Sequence, residues 1–106
     1  MKDVVFQRDG GRCVRCARAY GLTFHHRVNR GMGGAREDWV NGPANLLLAC
    51  GLCNGWFEDH PAPSYEAGWK VRRPQRPEDV EVLYSGGVVY RLTAGGERSP
   101  VRAGGR

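Results

Sequence analysis

The chain has 106 residues, 41% of them hydrophobic, and carries sixteen Lys and Arg against eleven Asp and Glu for a formal charge of +5. That is room for one domain whose apolar core is too small to be stable unaided, so a staple such as a bound metal is expected. Met1-Lys2-Asp3 is charged and every apolar run is too short to span a bilayer, which argues against a signal peptide or membrane span and predicts a cytoplasmic protein.

In chain order, Val4, Val5 and Phe6 ahead of Asp9-Gly10-Gly11 predict a short helix or turn ended by the glycines. Leu22 to Arg27 reads as a short strand, followed by a glycine-rich loop from Asn29 to Pro43. Leu46 to Ala49 predicts a second, buried strand. Asn54 to His60 has helical spacing and stops at Pro61-Ala62-Pro63, while Tyr65 to Arg73 is expected to be extended. Val80 to Tyr84 and Val88 to Thr93 flank Ser85-Gly86-Gly87, the pattern of a β-hairpin. Glycines, charges and few apolar side chains predict a disordered basic tail over Ala94 to Arg106. The expected organisation is a domain over 1–73, an accessory hairpin packed on it over 74–97, and a tail over 98–106.

Cysteine spacing carries the strongest chemical signal. Cys13-Val-Arg-Cys16 and Cys50-Gly-Leu-Cys53 are both C-x2-C pairs, separated by 33 residues. Each pair can present two thiolates to one tetrahedral ion, and in a reducing compartment a metal site is favoured over two disulfides. Four thiolates leave zinc no open position, so such an ion is structural; binding it would lower the net charge by two. Charge is also unevenly distributed. Arg8, Arg12, Arg15, Arg18, Arg27, Arg30 and Arg36 fall in one stretch with a single acid, Asp9, a footprint suited to a phosphate backbone or else to a solvated basic face.

Between and beyond the cysteine pairs lie His25-His26, Asn45-Leu46-Leu47-Leu48 and Cys50-Gly-Leu-Cys53-Asn54. This succession resembles the HNH nuclease motif in its zinc-framed ββα-metal (His-Me finger) form. His25-His26-Arg27 through Arg30-Gly31-Met32-Gly33-Gly34, with Cys53 to His60 and Gly68-Trp69-Lys70-Val71, is similar to small HNH proteins of actinobacterial phages and their hosts. The resemblance covers residues 6 to 70. It implies an α+β fold, a small zinc-stabilised ββα-metal domain here extended by the C-terminal hairpin, and a metal-dependent DNA endonuclease.

Residue roles follow from that resemblance. It assigns His25 to a catalytic divalent ion and His26 to the general base, and gives Asn45 the task of tying the loop backbone so that the base is positioned. Adjacent strand residues point to opposite faces, which agrees with separate roles for the two histidines. Relatives commonly carry His directly after the last Cys, whereas this chain has Asn54. A carbonyl oxygen there suits Mg²⁺ or Mn²⁺ better than zinc, and a phage junction-resolving endonuclease of the same superfamily also has Asn at this place. Glu58, four residues on, is a candidate water-mediated ligand or a plain surface carboxylate, and His60 is an alternative late ligand. Arg27, Arg30 and Arg36 are expected to contact DNA phosphates. Trp56 and Phe57 read as core.

Two functions therefore stand side by side: hydrolysis of DNA phosphodiesters, by a monomer or a homodimer, and a noncatalytic zinc-knuckle module that binds nucleic acid or an assembly partner. The resemblance suggests a setting in phage DNA packaging beside a terminase, in the host cytoplasm.

Overall fold

The computed structural model describes residues 2–29 and 37–103. The first helix, α1 (Lys2–Arg8), carries Asp3 in its first turn and Arg8 in its last, matching the helix dipole at both ends. It stops where Gly10 turns left-handed at φ +68°. There Gly11 N–H reaches back to the Phe6 carbonyl and Gly10 N–H to the Gln7 carbonyl, closing the last turn.

Strand β1 (Leu22–His26) pairs antiparallel with β2 (Leu46–Cys50), with His26 opposite Leu46 and Leu22 opposite Cys50. Every residue of β2 is buried, because α1 and the helix that follows cover its two faces; this is why its sequence is an unbroken apolar run. That helix, α2 (Gly51–Asp59), begins at Cys50, whose Sγ accepts a hydrogen bond from the Cys53 N–H.

Beyond α2 the expected extended segment is partly helical. Pro61 ends one helix and opens another, α3 (Pro61–Glu66), since a proline at the first helical position gives up an N–H that had no partner there anyway. Only from Trp69 does the chain run without regular structure to the 3₁₀ turn Pro77–Asp79. Gly68 makes the return possible: its φ is +81°, and a Cβ there would lie 1.9 Å from the Glu81 carbonyl oxygen.

The predicted hairpin is present as β3 (Val82–Leu83) and β4 (Val88–Leu92), but it is extended by a third strand, β5 (Arg98–Ala103). The expectation of a free tail therefore fails over 98–103, and 104–106 lie outside the described residues. Composition misleads here because β5 is exposed along its whole length. It is held by the ladder to β4, by Arg102 donating to Glu81 and by Arg98 lying over two tyrosines, none of which needs apolar content. Pro100 and a bulge beside Val89 and Tyr90 suit an edge strand.

One core joins the two sheets. Leu47, Phe57, Cys13, Cys50 and Cys53 pack with Trp69, Val82, Tyr84 and Leu92. Main-chain bonds from Leu83 to Ala67 and from Ser85 to Val14 cross the junction. Two buried polar knots complete it. Arg8 grips Asp9 through two hydrogen bonds of 2.8 and 3.0 Å and also donates to the Pro43 and Leu46 carbonyls, while Asp9 accepts from Leu48 N–H and Tyr84 OH. The second knot is Arg27, 1% exposed. Its guanidinium donates to the carbonyls of Gly68, Ala44, Pro77 and Val80. The fold is thus mixed α+β with a two-stranded and a three-stranded sheet. Among the described residues no helix is long and apolar enough to cross a membrane.

Candidate metal centre and active site

The first cysteine turn is closed by Ala17, a non-glycine residue at φ +67° whose N–H returns to the Cys13 carbonyl. The second pair sits at the junction of β2 and α2. Together they bring four Sγ atoms within 4.8 Å of one another, with Cys16 and Cys50 3.7 Å apart. Ligands about 2.3 Å from a tetrahedral zinc are about 3.8 Å from each other, so the donor set fits a structural ion such as zinc. All four thiols are free of disulfides.

Local chemistry matches that use. Burial acts to raise the Cys50 pKa, but the Cys53 N–H and neighbouring thiols outweigh it and bring it to about 7. Burial and the adjacent thiols push Cys53 up to about 12. The Cys50 thiolate is therefore favoured, whereas a thiolate at Cys53 calls for a compensating cation. Arg15 supplies part of the outer shell, with Nη1 3.5 Å from Cys53 Sγ and its guanidinium carbon 3.7 Å from the centre of the Trp56 ring.

At the other end of β1, Thr23 and His25 share the face that meets α2. Asn54 Nδ2 donates to Thr23 Oγ1 at 2.9 Å, and the His25 ring lies 4.7 Å from the Phe57 ring. His25 is 4% exposed. Its Nε2 is 2.7 Å from the Trp69 carbonyl, which can only accept, so Nε2 carries the proton and Nδ1 the lone pair. Burial lowers its pKa to about 4, with Trp69 and Glu58 opposing and Lys70 and His26 adding to the shift. A neutral imidazole oriented by a carbonyl is the state a metal ligand needs.

Glu58 belongs to the same neighbourhood, one helical turn after Asn54, and pairs at 3.0 Å with Lys70, whose side chain is 5% exposed. Asn54 gives its amide nitrogen to Thr23, leaving Oδ1 as its acceptor. His60 is turned elsewhere: its ring stacks on Trp56 at 4.3 Å and Nδ1 lies 3.1 Å from the Trp56 carbonyl. Phe57 is fully buried and Trp56 packs at the core's margin, as expected for the pair.

His26 points to the opposite face, half-exposed, with Nε2 2.9 Å from Asn41 Oδ1. Asn41 ends the 3₁₀ turn Asp38–Asn41 and escaped the sequence reading, because an Asn before Gly42-Pro43 reads as ordinary turn chemistry. Asn45 is wholly buried. Its Oδ1 accepts from Val28 N–H while Nδ2 donates to the carbonyls of Val28 and Val40, so it ties the end of β1 to the turn that carries Asn41.

One expected DNA contact is corrected. Arg27 is buried with its donors taken up by four carbonyls, so it braces the fold and cannot reach a phosphate. Arg30 and Arg36 lie outside the described residues. Lys70, Arg15 and Asn41 are the site neighbours that sequence reasoning missed.

No protein-family model, curated protein or solved structure matches the chain.

Proposed function

We propose that the chain is an HNH-type endonuclease that hydrolyses DNA phosphodiesters, with a structural zinc on Cys13, Cys16, Cys50 and Cys53. One observation carries the reading. Adjacent histidines at the end of β1 divide between two faces, His25 toward the Asn54 and Glu58 edge of α2 and His26 toward Asn41.

In this reading His25 Nδ1, Asn54 Oδ1 and the Glu58 carboxylate would hold Mg²⁺ or Mn²⁺. Such an ion supplies charge stabilisation to the scissile phosphate and the leaving oxygen. His26 takes the proton from the attacking water as the new P–O bond forms and the opposite P–O bond breaks, and the leaving oxygen takes a proton from solvent, giving a phosphomonoester and a hydroxyl. Asn41 fixes Nε2 of His26 as a donor, so Nδ1 is the basic atom. Asn45 acts at one remove, through the backbone it ties. Exposed Arg72, stacked on Tyr65, takes over the phosphate contact expected of Arg27. The proposed setting is phage DNA packaging beside a terminase in the host cytoplasm, with double-strand cutting if two copies pair.

A noncatalytic DNA-binding module is the second reading, and the Lys70 ammonium favours it: paired with Glu58, it places a positive charge where the catalytic cation is proposed to bind. Supercoiled plasmid incubated with Mg²⁺, Mn²⁺ or EDTA separates the two. The nuclease reading expects metal-dependent nicking that His26→Ala abolishes, and that His25→Ala or Asn54→Ala lowers with partial recovery at high metal concentration. Cleavage by His26→Ala equal to wild type refutes it.

A further inference from the structure

A cleft of about 330 Å³ opens between the first cysteine turn and the β3–β4 hairpin, lined among others by Arg12, Val14, Tyr84, Ser85, Tyr90 and Arg98. It shares Cys13 with the cysteine cluster but includes none of His25, His26, Asn54 or Glu58. Arg98 extends over the Tyr90 ring at 4.3 Å and the Tyr84 ring at 5.1 Å, and those two rings meet edge to face at 4.8 Å. Tyr84 is itself fixed by its bond to Asp9. Arg12, also in the lining, is held by a 3.1 Å bond to the Ala17 carbonyl.

Charge is uncompensated in this cleft, as it also is at the exposed Arg72. Arg73, Arg76, Arg91 and Arg102 each pair with a carboxylate. Arg12 and Arg98 have none among the described residues, although both are exposed. Asp9, the carboxylate in the lining, is compensated by Arg8 and by hydrogen bonds from Leu48 and Tyr84. Two guanidinium groups without carboxylate partners in the lining of one cleft, one of them braced on aromatic rings, suit the planar fork geometry with which arginine binds phosphate oxygens.

We propose that this cleft is a second phosphate-binding site, in which Arg12 and Arg98 hold the backbone of a DNA strand outside the candidate active site. Identifying the ligand as DNA rests on the proposed function; the anion site itself rests on the unpaired arginines. The cleft positions the substrate and takes no part in chemistry, since it contains no general base and no set of metal ligands.

The test is binding of a fluorescein-labelled DNA duplex by anisotropy across a salt series, with zinc content and thermal melting recorded for each variant. Each phosphate contact contributes about 0.9 to the slope of log K against log salt, so Arg12→Gln/Arg98→Gln is expected to flatten it by about 1.8 and to weaken binding at least about tenfold at low salt. Ser85→Asp, an exposed substitution at the rim, places a negative charge in the cleft without touching the core and is expected to weaken binding as well; it serves if the double variant melts early. Arg91→Gln/Arg102→Gln, which removes equal charge from arginines already paired with Glu81, is expected to change the slope little. An unchanged slope in both cleft variants overturns the proposal, as does the absence of duplex binding by the wild type. A nucleoside monophosphate that competes as tightly as the duplex overturns the strand assignment. His26→Ala keeps the wild-type slope if the two sites are separate, so lost cleavage with intact binding, or the reverse, shows which reading has failed.

Discussion

Replacing His25 by Gln should change how stability depends on pH, and the size of the change follows from burial. His25 is 4% exposed and its pKa is lowered from 6.5 to about 4. Between those values the unfolded chain binds a proton that the folded chain refuses, so stability rises with pH through the interval and is lost as pH falls from 6.5 toward 4. From pH 7.5 to pH 5 that linkage amounts to about 2 kcal/mol for this one side chain. Gln can still donate to the Trp69 carbonyl but has nothing to titrate. Urea unfolding of both proteins at several pH values, with zinc content measured at each, should show wild type losing about 2 kcal/mol more than His25→Gln over this interval. Parallel pH profiles with zinc retained would mean that the imidazole is solvated, and the reasoning about its neutral, carbonyl-oriented state would fall.

Three other outcomes follow from the packing. Arg27→Met should destabilise the fold by about 4 kcal/mol or more, since four carbonyls lose a charged donor, and chemical denaturation measures it. Gly68→Ala should be severely destabilising, about 3 kcal/mol, because its Cβ meets the Glu81 backbone; a melting temperature within a degree or so of wild type would refute the close approach. Ending the chain at Glu97 should lower the melting temperature by removing β5, where a disordered tail would leave it unchanged.

Much of the molecule was legible in the sequence, for reasons that also explain what was not. The Cys pairs announced a shared site because C-x2-C spacing is a local geometric device, and the structure brings the four sulfurs together. Strand β2 and the hairpin turn were readable because a continuous apolar run and Ser85-Gly86-Gly87 are local signals. Strand β5 had no such signal: its partners lie on β4 and Glu81, and its side chains remain in water. The same limit applies to charge. Seven arginines counted along the chain look alike, but Arg8 is taken up by Asp9 and Arg27 by four carbonyls drawn from three separate segments. Burial of a guanidinium is decided by distant backbone, which no short window reveals. His26 and Asn41, fifteen residues apart, form a pair only because the intervening chain returns to the strand end.

The Tyr84 hydroxyl on Asp9 spans 75 residues of sequence. During synthesis α1 emerges early, yet the acid that follows it acquires its last hydrogen-bond donor only when β3 has been made and has folded back. Until then Arg8 and Asp9 have only each other, the Pro43 carbonyl and the β2 segment. The amino-terminal helix therefore completes its docking late, and a ribosome-stalled chain ending before residue 84 should leave α1 accessible to protease while the cysteine turns, already complete, could hold an ion such as zinc.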